Sequence, residues 1–346
     1  MRAWAAGATT GTIKQLERPT PVPGDDEVLV AVVVCGICRT DLHVIDHDIP
    51  VHLPGVVPGH QVIGRVIEAG RDVSTLHQGD LVGIAWLRRT CGVCEWCRSG
   101  AENLCPRSEY TGWDADGGFA EYATVPEAYA YRLPADIDPY ETAPLLCAGI
   151  IGFRALRRAN LPPGGVLGIY GFGSSAHITA QLAMAGGARV FAMTRGEKNR
   201  ALAAEVGVDF VGEAAERPPE PLDSAIIFAP AGELVPVALA ATKAGGTVAL
   251  AGIHMSDIPQ MDYSATLFHE RDLRTVTANT RDDGIRFLEI ARNLHLSPTV
   301  TRVPFDGLDD ALAGLRDGAT SGSLVLTVVE TGSSNMVDMS GGRLMR

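Results

Sequence analysis

The sequence predicts a two-domain α/β chain, a β-rich N-terminal half followed by a parallel α/β sheet. Three observations carry this. At 346 residues the chain is long enough for two cores, since a domain takes roughly 100 to 200 residues. All seven cysteines lie between Cys35 and Cys147, and the composition shift after Cys147 marks a boundary. The apolar pattern changes at the same point, from strands divided by Pro- and Gly-rich loops to strands alternating with helices.

Residues 27–34 are an almost unbroken β-branched run, and 61–69 and 80–84 are shorter runs closed by glycine. They read as strands, with the clusters at 19–23 and 50–58 as loops. Beyond Cys147 the expected order is strand 165–170, helix 175–185, strand 188–193 and helix 197–206. Strands at 224–228 and 246–250 follow, then a long helix at 282–293 and a final strand at 323–329. Residues 331–346 hold Gly, Ser and Met without periodicity and read as a flexible tail. No internal repeat is visible.

Composition narrows the function. With 46% hydrophobic and 20% charged residues the chain belongs to the ordinary globular class. A net charge of −12 repels a phosphate backbone, which argues against nucleic acid as a partner. No apolar run approaches the ~18 residues that span a bilayer, and the N-terminus turns polar at Thr9 before a signal sequence forms. The expected location is the cytoplasm. Thiols stay reduced there, so clustered cysteines point to metal rather than to disulfides.

Cys91, Cys94, Cys97 and Cys105 have the spacing C-x2-C-x2-C-x7-C, with Gly92 and Gly100 to let the chain turn. Four thiolates so close wrap one tetrahedral zinc with no open position; an iron–sulfur cluster also accepts four. A scattered second group comprises Cys38, His60 and Cys147. A Cys2His set leaves zinc neutral and one position open, as catalysis needs. Spacing alone speaks as well for a satisfied loop histidine and a core cysteine. Farther on, Gly171-Phe172-Gly173-Ser174-Ser175-Ala176 follows a strand and opens a helix. In this G-x-G-x-x-A turn, Gly171 permits the tight bend, Gly173 the approach of a pyrophosphate and Ala176 close helix packing.

In this order, the two cysteine motifs, the Gly59-His60 pair and the glycine-rich turn make the chain resemble the zinc-dependent alcohol dehydrogenases of the medium-chain dehydrogenase/reductase family. The resemblance runs from the first strand to about Val329. It implies a GroES-like β-rich catalytic domain at 1–150, completed by about 291–330, and a doubly wound Rossmann NAD(P)-binding domain at 151–290. It further implies Cys38, His60 and Cys147 as catalytic zinc ligands, the other four cysteines as a structural zinc site, and Cys35 as a small buried residue. Asp41 would fix the His60 tautomer. Thr40 and His43 would relay the substrate proton, and Arg39 would meet the cofactor pyrophosphate. The implied reaction is reversible hydride transfer between a primary, or by extension secondary, alcohol and NAD(P)⁺, with zinc as Lewis acid, in a homodimer or homotetramer.

Three departures from the family pattern stand out. Gln61 replaces the glutamate that usually follows the ligand histidine, which leaves a second reading: a non-catalytic or thiol-sensing zinc-binding relative. Thr194 and Arg195 stand where an acid usually meets the adenosine ribose, so Arg195, with Lys198 and Arg200 nearby, points to NADP over NAD. Ser321-Gly322-Ser323 lacks the arginine that many relatives aim at the pyrophosphate. Ile49 replaces the bulky aromatic common in small-alcohol relatives, and Trp86 and Trp113 are candidate walls. Together they suggest alcohols and aldehydes with medium-length or aromatic groups. A zinc-ribbon recognition module on Cys91–Cys105 is the remaining rival, and the charge and the nucleotide turn count against it.

Overall fold

The computed structural model describes residues 1–329; the expected tail at 331–346 lies outside them. The chain opens with a hairpin of β1 (Arg2–Ala6) and β2 (Ile13–Glu17). The long β3 (Glu27–Ile37) leads into α1 (Arg39–Ile45), then β4 (Val62–Ala69), β5 (Leu81–Ile84) and β6 (Leu87–Arg89). A short α2 (Glu95–Arg98) precedes β7 (Glu109–Tyr110), β8 (Tyr122–Pro126), β9 (Ala130–Arg132) and α3 (Pro139–Thr142).

β3 organises this half. It pairs antiparallel with β4 and β8, with register shifts against β4 between Leu29 and Val30 and between Val32 and Val34. Such irregularities sharpen the strand twist. Both faces are covered: Val28, Val30 and Val32 enter one core cluster, while Val34 enters another. That is why the run shows no polar alternation.

The second half begins with α4 (Ala148–Ala159), followed by β10 (Val166–Tyr170), α5 (Ser174–Ala185), β11 (Arg189–Met193), α6 (Glu197–Val206) and β12 (Phe210–Gly212). Next come β13 (Leu222–Ile227), α7 (Leu234–Ala241), β14 (Thr242–Leu250), α8 (Tyr263–Thr266) and β15 (Asp272–Thr275). These six strands form one parallel sheet in the order β12-β11-β10-β13-β14-β15. This is the doubly wound Rossmann order. Its direction reverses between β10 and β13, which opens a ligand crevice at their carboxyl ends. Separate apolar clusters cover the two faces of the sheet.

The chain then returns. α9 (Arg281–Leu294) is followed by β16 (Val300–Pro304), α10 (Leu308–Arg316) and β17 (Ser323–Thr327). β17 pairs with β16 and, antiparallel, with β3, so the C-terminal strands complete the N-terminal seven-stranded sheet. A further cluster joins the halves, packing Val34, Ile63 and Leu146 with Ile150, Ile178 and Phe287. Among the described residues, no helix is long and apolar enough to cross a membrane.

Candidate active site and metal centres

Cys38 leaves β3 and caps α1, where its backbone N–H donates to the Asp41 carboxylate at 2.8 Å. Asp41 thus helps close the first turn in a capping box. His60 lies on the loop before β4, and Cys147 caps α4. Three separate parts of the chain therefore converge, and their ligand atoms lie within 4.8 Å of one another. His60 Nε2 is 3.3 Å from Cys147 Sγ.

Asp41 orients the group from behind. Its Oδ1 accepts from Gly59 N and from His60 Nδ1, both at 3.0 Å. A carboxylate only accepts, so Nδ1 carries the proton and Nε2 faces the sulfurs. The Cys147 thiol donates toward Cys38 and, against the cost of burial, holds the Cys38 thiol well below its ordinary value, with His60 helping. Cys147 is pushed up in turn by that same bond and by burial. Burial pulls the His60 imidazole down, but Asp41 and Cys38 outweigh it and push it up to about 10. The pocket thus favours positive charge in its interior. A tetrahedral ion bound at 2.0–2.3 Å would set N···S at about 3.6 Å, close to the separation seen, so the donor set fits zinc.

Around it, the Thr40 hydroxyl sits 3.7 Å from Cys38 Sγ. His43 Nδ1 is 2.8 Å from Asp48 Oδ2, and its ring is 5.3 Å from that of His254; neither partner was foreseen from sequence. Arg39 is exposed and donates to the Leu315 carbonyl at 3.2 Å. Gln61 is buried against Gly36, where an added Cβ would strike its side chain. Trp86 is 6% exposed and stands edge-on to His60 at 4.8 Å. It stacks beside Trp113 and Tyr110 and packs with Ile49 and Ala278 in one small apolar cluster. A cavity of about 430 Å³ borders this cluster through Val44, Val56 and Trp113. A larger one of about 720 Å³ runs along β9 and α9 and contains none of the metal donors.

The other four cysteines occupy a lobe around α2. Cys94 Sγ is 3.5 Å and Cys91 Sγ 3.9 Å from Cys97 Sγ. Four sulfurs at 2.3 Å from one tetrahedral zinc lie about 3.8 Å apart. All four lie within 4.8 Å of one another, which suits one ion rather than a cluster of several irons. Backbone N–H groups of Val93 and Cys94 lower the Cys91 thiol to about 5, while the Cys94 thiol, despite the backbone N–H of Cys97, is pushed up to about 11 by burial and by its thiol neighbours.

At the crevice, Gly171 has φ 86° and an added Cβ would meet Ala229. Gly173 faces open space, and Ala176 is fully buried as close packing demands. Ser174 Oγ is 2.6 Å from Ser323 Oγ, tying the turn to β17, and Ser175 accepts from Thr179 through its carbonyl. Thr194 is buried and its hydroxyl accepts from Phe172 N at 3.0 Å, so it braces the turn. Arg195 is exposed, while Lys198 donates to the Ala319 carbonyl and Arg200 pairs with Glu213. His177 directly follows the turn, and its residue type alone carries no signal of its role. It is buried, with Nδ1 on the Gly173 carbonyl and Nε2 accepting from Thr299 N.

Comparison with known proteins adds the remaining findings. Residues 24–135 match the family described as alcohol dehydrogenase GroES-like domain, and residues 176–293 the one described as zinc-binding dehydrogenase. The chain is 53% identical over 324 residues to a protein of Mycobacterium tuberculosis described as "Probable alcohol dehydrogenase AdhA", covering 92% of this chain and 94% of that one. A cinnamyl alcohol dehydrogenase of Sorghum bicolor is 27% identical with a TM-score of 0.86, over 94% of this chain and 97% of that one. The acetophenone reductase of Geotrichum candidum, solved with NAD, is 25% identical with a TM-score of 0.86, over 94% and 96%.

Proposed function

Because the chain belongs to the zinc-dependent alcohol dehydrogenases of the medium-chain dehydrogenase/reductase family, we propose a division of labour among its residues for reversible alcohol oxidation with a nicotinamide cofactor. The observation that carries it is the convergence of Cys38, His60 and Cys147 on one buried point. These three would hold the catalytic zinc, and Cys91, Cys94, Cys97 and Cys105 a second, closed one, giving two ions per chain. Zinc bound at the first site supplies a Lewis acid to the substrate oxygen and lowers the pKa of a bound alcohol.

The chain's own groups do the rest. Asp41 keeps the His60 ring turned toward the sulfurs. Thr40, 3.7 Å from Cys38 Sγ, takes the substrate proton, and His43 passes it outward beside Asp48. Gly171, Gly173 and the first turn of α5, through Ser174, Ser175 and Ala176, receive the pyrophosphate, with Arg39 as its cation. Trp86, Trp113 and Ile49 exclude water and leave room for medium-length or aromatic groups. Gln61 is compatible with turnover because the three donors are complete without it; the non-catalytic reading is not favoured. The catalytic domain covers 1–150 with 291–330 and the Rossmann domain 151–290. The protein works in the cytoplasm as a homodimer or homotetramer.

Cofactor choice follows from Arg195 and the missing acid. Thr194 braces the turn and keeps its hydroxyl proton to donate toward the cofactor, the exposed guanidinium of Arg195 would pair with a 2′-phosphate, and the proposal is NADP(H) over NAD(H). Measuring kcat/KM for both reduced cofactors on one aldehyde tests this. NADPH should lead, and Arg195→Ala should weaken it selectively by about ten-fold. A ten-fold preference for NADH in the wild type would contradict it.

A further inference from the structure

The four-cysteine lobe does more than close on a metal. Between Cys97 and Cys105 lie two buried polar residues, Glu102 and Asn103, 7% and 2% exposed. Asn103 reaches across the chain to the segment that links β15 to α9, and Glu102 to the first residue of α9. Asn103 Nδ2 donates to the Thr277 carbonyl at 2.7 Å. Glu102 accepts from Arg281 through its backbone N at 2.8 Å, its Nε at 3.0 Å and its Nη2 at 2.7 Å. The Arg281 guanidinium also lies 4.6 Å from the Tyr129 ring. Burial opposes ionisation of Glu102, yet the Arg281 bonds hold its carboxyl below the ordinary value.

The two anchors flank one unusual residue. Ala278 has φ 46°, a left-handed conformation that a non-glycine residue keeps only where its surroundings over-determine it. Its side chain packs in the cluster of Trp86, which touches His60. The segment also leaves the parallel sheet at its carboxyl edge, with Val276 N bonded to the Leu250 carbonyl at 2.9 Å, where such sheets bind cofactors. From the far side Asp283 is held by Arg154 and Arg157 at 2.5 and 2.9 Å. Both arginines belong to α4, the helix that Cys147 caps.

We propose that Glu102 and Asn103 are positioning residues through which the four-cysteine lobe holds the turn at residues 277–280 against the active-site cleft, so that the state of the lobe sets cofactor affinity. When the lobe loosens, the anchors on either side of Ala278 are released. The turn then relaxes out of its left-handed conformation, and the edge of the crevice shifts.

The test uses the full chain with its metals. Binding of NADPH and of NADH is titrated by nucleotide fluorescence, beside metal content, Tm and steady-state kinetics. Asn103→Ala should keep its metal and weaken the tighter-binding cofactor about ten-fold, raising cofactor KM more than it lowers kcat. Glu102→Gln should act in the same direction, by about three-fold. Cys94→Ser should weaken the cofactor about as much as Asn103→Ala, and the double variant no more than the worse single one, because both act through one contact. Adding Ala278→Gly to Asn103→Ala should restore part of the affinity, since glycine holds this φ without strain. Wild-type affinity in both Asn103→Ala and Glu102→Gln, or full additivity with Cys94→Ser, overturns the proposal. A wild type that binds neither nucleotide overturns the dehydrogenase reading as well.

Discussion

The two cysteine groups present thiol sulfurs in opposite surroundings, the second with an imidazole nitrogen beside them. Cys91, Cys94 and Cys97 are only partly covered and sit within one short lobe, where backbone N–H groups lower the Cys91 thiol and the Thr90 side chain lowers the Cys97 thiol. Cys38, His60 and Cys147 come from three distant segments, and their ionisation is set by one another and by the fully engaged Asp41. A local loop suffices to gather four sulfurs. An open-sided site needs the whole fold to bring three donors together, and the difference between them is one of contact distance along the chain as much as of ligand count.

Crossed substitutions put this contrast to work, in falling order of effect. Cys38→Ser should abolish turnover while Tm stays near that of wild type. Cys94→Ser should instead lower Tm by roughly 5 to 10 °C and leave residual activity. Equal loss of Tm in both variants would break the comparison. Next in size, Asp41→Asn should lower metal affinity or activity about 10- to 100-fold, because an amide can turn its N–H toward His60 and spoil the tautomer; no change would show that the ring is fixed by its sulfur partners alone. The smallest effect belongs to Gln61→Glu. It should retain zinc content and change kcat/KM by less than about three-fold. Activity appearing only in this variant would mark the native chain as non-catalytic.

Much of this was legible in the sequence because it is local. The helix Glu197–Val206 falls where its composition put it, and strands such as Val166–Tyr170 and Arg189–Met193 begin within a residue of expectation. The four-cysteine spacing and the Gly171 turn are likewise short-range patterns. β14 begins at Thr242 rather than near 246, because β13 pairs with it from Leu222 onward. What local patterns hide is pairing over distance. That the C-terminal stretch completes the N-terminal domain came only from the family resemblance, as did the assignment of Cys38, His60 and Cys147 to one site; the pairing of the last strand with β3 was not legible at all. Asn103 on Thr277 and Glu102 on Arg281 are separated by 174 and 179 residues, and no periodicity announces them. The bond from Phe172 N to the Thr194 hydroxyl likewise links two residues 22 apart, and it leaves the hydroxyl proton free to donate.

The most direct test of two sites with unequal tasks is zinc analysis of the active protein, taken together with activity as metal is withdrawn by a chelator. Two zinc ions per active chain are expected, with turnover lost on removal of one while the circular dichroism of the fold persists. An active chain holding one zinc or none, or turnover that survives emptying of the Cys38–His60–Cys147 site, would contradict it.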